Sequence, residues 1–341
     1  ACRHVIQAVL DSPAVSRKDV RAIGVSGQQH GMVPLDASGQ VIRPAKLWCD
    51  TETVEQCNTL TGRAGGASAV LKCIGNQVAA GFTASKILWL KEHEHDNYSR
   101  LSTVVLPHDY INFWLTGERK TESGDASGTA YFDVEHRCWS EEMLQAIDPS
   151  GKLERCLPEL IASDEPVGLL ASNLVEEFGL GADVIISSGG GDNMMAAIGT
   201  GNVREGVVTA SLGTSGTIYA YSNRPIIDEH GELAAFWSST GGWLPLVCTM
   251  NVTVATELVR KLFRFDLDEM NRQAATVEAG AGGLLLLPYF NGERTPALPL
   301  AQATLTGMTG LNMQSSTICR AAMEGATLGL RYGLDICLLY T

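Results

Sequence analysis

The stretch Ile185-Ile186-Ser187-Ser188-Gly189-Gly190-Gly191-Asp192-Asn193 sets one carboxylate directly behind three glycines. β-formers lead into it and a small-residue segment, Met194 to Thr200, follows, so Asp192 falls at an expected strand–helix junction. A carboxylate there can accept a proton from a hydroxyl, or cap the helix at a gain of about 1 kcal/mol; the two roles are compatible. Asn193 beside it is a candidate substrate contact. A second glycine loop, Ser211-Leu212-Gly213-Thr214-Ser215-Gly216, lies between Val207–Ala210 and Thr217–Ala220. Glycines accept positive φ, and the N–H groups of Gly213, Thr214 and Ser215 can form an anion nest; the other reading is an ordinary glycine hairpin. An acid to take a proton and a loop to hold phosphate are what phosphoryl transfer to an alcohol needs.

Three further segments carry candidate groups. Gln28-Gln29-His30 sits in a bend between Gly27 and Gly31. Amides and an imidazole both donate and accept, which suits polyol hydroxyls, so Gln29 and His30 are substrate candidates. Trp48 and Asp50 either line a pocket or belong to a strand end with a buried indole. Asn291-Gly292-Glu293-Arg294-Thr295-Pro296 follows a strand, and its Glu293 and Arg294 form either an ion pair or phosphate contacts, which makes Gly292 and Arg294 nucleotide-side candidates. His93 and His95 are spaced i, i+2, which on a helix points them to different sides; a solvated face is expected there and no metal site.

The elements that must position these groups follow from period and punctuation. Val20–Val25 and Met32–Leu35 read as a hairpin, with a third strand at Val41–Ile42. Helices are expected at Val5–Leu10, Thr83–Glu92, Glu141–Ala146 and Ala171–Phe178. Val104–Leu106 is a strand, and Pro107 opens a helix that Gly117 stops. Beyond a polar, glycine-bearing stretch at Gly199–Gly206, strands run from Val207 to Tyr221 and from Gly242 to Thr249. Helices follow at Val254–Phe263 and Leu267–Ala279, then a strand at Leu284–Pro288 and a long helix at Ser315–Leu334. The pattern fits two α/β domains, 1–202 and 203–341, with a ligand cleft between them.

Composition narrows the class. A hydrophobic content of 45% against 18% charged residues marks a soluble globular chain. The net charge of −13 argues against nucleic acid or an anionic membrane as partner. No apolar run approaches the roughly eighteen residues of a membrane span. The nine cysteines are odd in number and scattered, with no Cys-x-x-Cys, which reads as reduced, cytoplasmic chemistry. Assembly as a homodimer stays open. The start lacks Met and the end, Cys337 to Thr341, is apolar with no helix stop; both ends are read as cut.

Taken in order, these segments resemble the FGGY family of carbohydrate kinases. Gly27-Gln28-Gln29-His30-Gly31 is similar to the substrate segment of its pentulose kinases. Leu47-Trp48-Cys49-Asp50 resembles the family's Leu-Trp-x-Asp, and Thr83 to His93 its first signature. Gly189 to Asn193 resembles the catalytic-base segment, Ser211 to Gly216 the second phosphate loop, and Pro288 to Pro296 a further block. Leu305 to Gly325 resembles the second signature, with Thr317 where an amide, acid or His is usual. The resemblance implies an actin-like, ribonuclease-H-like α/β fold of two domains, mixed sheets flanked by helices and incomplete at both termini. It implies ATP and Mg²⁺, with Asp192 as base, Gln29 and His30 on the sugar and Gly213 to Ser215 on phosphate. The implied reaction is phosphorylation of a pentulose, D-xylulose first, with ribulose, gluconate or glycerol, or sugar binding without catalysis, as alternatives. Two family parts are not met: an Asp-x-Gly-Thr hairpin before Ala1, and a glycine-rich adenosine segment before Thr341.

Overall fold

The computed structural model describes residues 1–340, with side chains through Cys337; Thr341 and the side chains at 338–340, part of the apolar tail read from the sequence, lie outside the described residues. The chain forms two compact units. One comprises Ala1–Val203, Asn223–Glu229 and Ala235–Trp243; the other comprises Arg204–Ser222, His230–Ala234 and Leu244–Thr341. Both mix short strands with helices.

In the first unit, distant segments lie side by side. Ala22–Ile23 runs parallel to Ile185–Ile186, and Ser26–Gly27 parallel to Gly190–Gly191, in register Ser26↔Gly190 and Gly27↔Gly191. Gly168–Leu169 adds an antiparallel neighbour to Ile185–Ile186. The hairpin expected between Val20–Val25 and Met32–Leu35 does not form. Val33–Leu35 instead pairs antiparallel with Thr103–Val105, and Val41 makes only a single bridge to Leu35. Burial explains the difference. Val33, Leu35 and Val105 build one apolar cluster with Tyr110 and Phe113, while Ile23 packs into another around Leu115, Leu174 and Ile186. Each strand thus serves a core that its sequence neighbour does not touch.

The expected helices are present at Cys2–Leu10, Thr83–His93, Pro107–Thr116, Glu141–Ile147 and Ser172–Phe178. Pro107 occupies the first position of its helix, and Gly117 ends it at φ 86, in the left-handed region that favours glycine. Ser140 caps the helix at Glu141 by accepting the Met143 N–H at 3.2 Å, worth about 1 kcal/mol. Two helices that the sequence reading passes over, Val54–Arg63 and Ala67–Ile74, supply Leu60, Val70 and Ile74 to the largest apolar cluster, with Ile87, Leu88 and Leu144.

In the second unit, Val208–Leu212 and Gly216–Ala220 form an antiparallel hairpin, and Gly216–Tyr219 pairs on its other side with Leu246–Thr249. Helices span Thr253–Phe263, Leu267–Ala275 and Ser315–Tyr340, the last running beyond the expected Leu334. Leu285–Leu287 pairs with Thr304–Thr306. Val259, Met270, Leu286 and Ala322 join these elements in one core.

His93 ends one helix and His95 begins the next, and the His93 ring stacks on Trp89 at 4.9 Å. Among the described residues no group of three or more His, Cys, Asp or Glu is arranged to hold a metal ion. Among the described residues no disulfide joins any of the nine cysteines, and no described helix is long and apolar enough to cross a membrane.

Candidate active site

The parallel pairing of Ser26–Gly27 with Gly190–Gly191 builds the first part of the site. Gly189, at φ 63, lies where a Cβ would stand 2.3 Å from the Val25 carbonyl oxygen, so only glycine lets the two strands close. A Cβ on Gly191 would stand 2.6 Å from Cγ of Gln29. With both methyls absent, the Asn193 amide donates to Gln29 Oε1 at 2.8 Å, joining residues 164 positions apart. Gln29 is buried, and its Nε2 has no hydrogen-bond partner in the protein. A buried donor without an acceptor is costly unless a ligand oxygen completes it.

Asp192 is the first residue of the helix Asp192–Gly199, and the capping position belongs to Gly191, whose φ and ψ of −61° and 149° are extended. Its Oδ1 accepts from the next backbone N–H, that of Asn193, at 2.9 Å and not from the second or third turn positions of a capping bond. Asp192 therefore is not the helix cap that the sequence also allowed. The residue is exposed, yet protein atoms crowd its carboxyl enough that desolvation raises its pKa above the ordinary carboxylate value. A reachable, more basic carboxylate suits proton acceptance.

His30 takes φ 63. Its ring lies 4.6 Å from Phe82 and 5.4 Å from Phe236, and its carbonyl accepts from Thr83 Oγ1 at 3.2 Å. Lys86, fully buried, holds the Gly81 and Phe82 carbonyls beneath it, and burial lowers the Lys86 pKa to about 8. Behind the loop stands a set of charges that the sequence reading does not single out. Asp125 Oδ1 accepts the His30 N–H at 3.4 Å, and its Oδ2 lies 2.8 Å from Nδ1 of His108. On the other side of that imidazole, Nε2 lies 3.0 Å from Asp109 Oδ1. Burial alone would lower the His108 pKa, but Asp109 and the bonds to both carboxylates raise it well above the ordinary value. Burial pushes Asp125 up to about 6, against the pull of His108. Next to this group the buried carboxylate of Glu122 accepts from Gly124 N, Asp125 N, Ser163 Oγ and Ser239 Oγ. His108 and Asp109 adjoin in the helix that Pro107 opens, but no spacing rule ties them to Asp125, 17 positions beyond His108.

Trp48 is 43% exposed, so it is not the buried indole of the alternative reading. Asp50 lies 3.3 Å from Nζ of the buried Lys46, which also contacts Glu52 and sits over the Trp89 ring.

In the second unit the tip of the 213–216 hairpin is exposed at Gly213 and Thr214. Neither Gly213 nor Gly216 adopts positive φ, against the expectation. Gly216 is required by space instead: a Cβ there would stand 2.6 Å from Val252 Cγ2. The hairpin closes through Gly213 N–H on the Ser215 carbonyl at 3.0 Å. Glu293 and Arg294 do not pair through their side chains. Glu293 is buried and accepts the Arg294 backbone N–H at 2.8 Å, while the exposed Arg294 guanidinium reaches Cys248 Sγ at 3.6 Å. Gly292, at φ 69, accepts from Asn251 Nδ2 at 2.7 Å.

The fold and these segments together define a sugar kinase. The FGGY family of carbohydrate kinases matches with its N-terminal domain over residues 1–199 and its C-terminal domain over residues 208–337, and the chain belongs to that family. A xylulose kinase of Haemophilus influenzae is 44% identical over 98% of this chain and 68% of its own length. A xylulose kinase of Streptomyces coelicolor is 39% identical over 94% of this chain and 64% of its own length. The chain thus spans about two thirds of the length of these curated relatives. The crystal structure of a xyloylose kinase from Brucella ovis superposes with a TM-score of 0.93 at 31% identity, covering all of this chain and 69% of that one. The two-domain, actin-like ATPase fold expected from the sequence is the fold of this family.

Proposed function

We propose that the chain phosphorylates a pentulose with ATP, converting D-xylulose to D-xylulose 5-phosphate. The observation that carries this reading is the pairing of 26–27 with 190–191. It sets the buried Gln29 amide, one donor still open, on Asn193 beside an exposed, pKa-raised Asp192. That is a polar floor for a polyol next to a base. The xylulose kinase relatives support the choice of sugar.

In this mechanism Gln29, His30 and Asn193 orient the sugar through hydroxyl hydrogen bonds, with Trp48 and Asp50 at the rim. Asp192 accepts the proton of the attacking hydroxyl as its oxygen bonds to phosphorus, a role worth about 10²- to 10⁴-fold in rate. The N–H groups and hydroxyls of Thr214 and Ser215 take up phosphate charge, Gly213 closing the hairpin through its own N–H, with Gly292 and Arg294 contributing on the same unit. Mg²⁺ commonly rides on nucleotide phosphates with one or two carboxylates and several waters. When bound it offsets phosphate charge. We further propose that the unit built mainly from 1–202 is the sugar half and the unit built mainly from 203–341 the nucleotide half, with Asn223–Glu229 and Ala235–Trp243 folding with the sugar half.

The test is a coupled ADP assay with D-xylulose, D-ribulose, gluconate and glycerol. D-xylulose is expected to give the highest kcat/KM. Preference for another polyol overturns the substrate. Calorimetry that detects sugar binding without nucleotide binding overturns the kinase reading in favour of a sugar-binding protein.

A further inference from the structure

We propose that Glu293 and Asn251 form a buried clamp that fixes the 213–216 hairpin in its phosphate-receiving shape. The proposal rests on reading that hairpin as the phosphate site. It adds two positioning residues that touch no substrate in the proposed mechanism.

The clamp is a chain of short bonds within the second unit. The Glu293 carboxylate is 4% exposed. Its Oε1 accepts from Met250 N at 2.6 Å and from Arg294 N at 2.8 Å; its Oε2 accepts from Asn251 Nδ2 at 3.0 Å. The same Asn251 amide donates to the Gly292 carbonyl at 2.7 Å, and Asn251 is 1% exposed. One carboxylate and one amide thus tie residues 250 and 251 to residues 292–294. The next two residues along the chain hold the hairpin: Val252 N–H donates to the Thr214 carbonyl at 3.1 Å, and Thr253 N–H to the Gly213 carbonyl at 3.0 Å.

This arrangement has a directional consequence. An anion nest works only when its N–H groups point outward. By engaging the Gly213 and Thr214 carbonyls from below, Val252 and Thr253 fix the planes of the peptides whose other faces carry the N–H groups of Thr214 and Ser215. Residues 250–253 have no strand partner at this point, since pairing with Gly216 ends at Thr249 and the helix begins at Thr253. Charge-assisted bonds from Glu293 hold that junction where regular structure does not. Gly216 completes the fit, because any Cβ there would push Val252 away.

Glu293→Gln tests the clamp with minimal change of shape. The glutamine keeps one oxygen for the two backbone donors but sets an NH₂ against the Asn251 NH₂. Asn251→Ala is the second variant, removing the amide without placing donor against donor. Two readouts are needed: hydrogen exchange of the bonded amides Gly213, Val252 and Thr253, and the affinities for ATP and for D-xylulose. The expected result is about tenfold faster exchange at those three amides in both variants, no change in the Ser315–Tyr340 helix, and about tenfold weaker ATP binding with D-xylulose unchanged. Unchanged exchange at the three amides overturns the clamp. Faster exchange throughout the unit also overturns it, since that is a loss of stability alone. Local loosening with ATP affinity intact upholds the clamp's geometry and overturns the phosphate role of the hairpin.

Discussion

The loop proposed to hold the sugar in the first unit and the hairpin proposed to hold phosphate in the second are backed by different chemistry. Behind Gln29 and His30 lie four buried ionisable groups, Glu122, Asp125, His108 and Asp109, each bonded to another or to backbone N–H groups. Behind the 213–216 hairpin lie backbone bonds from Val252 and Thr253 and, one step further back, the single carboxylate of Glu293. A polyol offers neutral hydroxyls, and its recognition depends on the direction of each donor and acceptor. Buried charges hold such directions strongly, because any movement leaves a charge unpaired in a low-dielectric interior. A phosphate carries its own charge and needs only outward N–H groups, which backbone bonds orient once Glu293 holds the junction behind them.

The comparison breaks first at the base. Asp192→Asn removes the proposed proton acceptor while keeping the shape of the helix start. We expect kcat to fall by about 10²- to 10⁴-fold, with D-xylulose affinity by calorimetry near that of the parent. A variant that turns over within a factor of two of the parent removes Asp192 as the base. Sugar affinity lost together with kcat would mean that Asp192 binds substrate as its main task.

The buried charges come next. His108→Ala leaves Asp109 and Asp125 facing each other without the cation between them, which should cost about 3–5 kcal/mol by urea unfolding. The pH dependence of the parent carries the sign. The raised His108 pKa means the folded state holds its proton more tightly than the unfolded state does. That stability is complete below the ordinary imidazole pKa of about 6.5 and is lost as pH rises through the elevated value. Asp125 acts in the same sense: with its pKa lifted from 3.8 to about 6, its ionisation between these values also costs stability. Unfolding free energy should therefore decline as the solution is made alkaline, and imidazole ¹⁵N shifts should report His108 protonated at neutral pH. A neutral His108 at pH 7 would leave the sugar loop backed by hydrogen bonds alone and erase the contrast with the hairpin.

Much of this was legible beforehand, for reasons that separate local from distant information. The helix at Pro107 declares itself by a proline at its first position and a glycine past its end. Asp192 and the 211–216 loop stand out because glycines and β-formers punctuate them. Strand partnership was not legible: Met32–Leu35 looks like the neighbour of Val20–Val25, and only the burial of Val33 and Leu35 against Val105 and Phe113 decides otherwise. The helix at Val54–Arg63 was hidden because its buried positions, Gln56, Cys57 and Leu60, include a glutamine and show no apolar stripe. His108, Asp125 and Glu293 were unreadable for a related cause. Apart from Asp109, which directly follows His108, their side-chain partners lie 17 or more positions away and the rest are backbone N–H groups, and neither kind leaves a mark on spacing.

His30 tests how far the buried charges reach into sugar recognition. His30→Ala removes a ring packed on Phe82 and Phe236 and the polar contact to substrate proposed for it, but keeps the backbone N–H that Asp125 accepts. We expect KM for D-xylulose to rise about tenfold, the scale of one good hydrogen bond, with KM for ATP unchanged. An unchanged sugar KM would put the substrate elsewhere on the unit.

The smallest effect belongs to Arg294, and it bears on the other side of the comparison. Its guanidinium is exposed and reaches the soft Cys248 sulfur at 3.6 Å. In solvent a charge contributes little through Coulomb attraction, about 0.2–1 kcal/mol, and salt screens it. Arg294→Ala should therefore raise KM for ATP only two- to fivefold, and the difference from the parent should shrink at high salt. If the hairpin amides carry most of the phosphate binding, the Arg294 effect stays at that level while the effects of Glu293→Gln and Asn251→Ala on ATP are larger. A loss of a hundredfold or more at Arg294 would reverse the order, making one side-chain cation, and not the backbone nest, the principal phosphate group of the second unit.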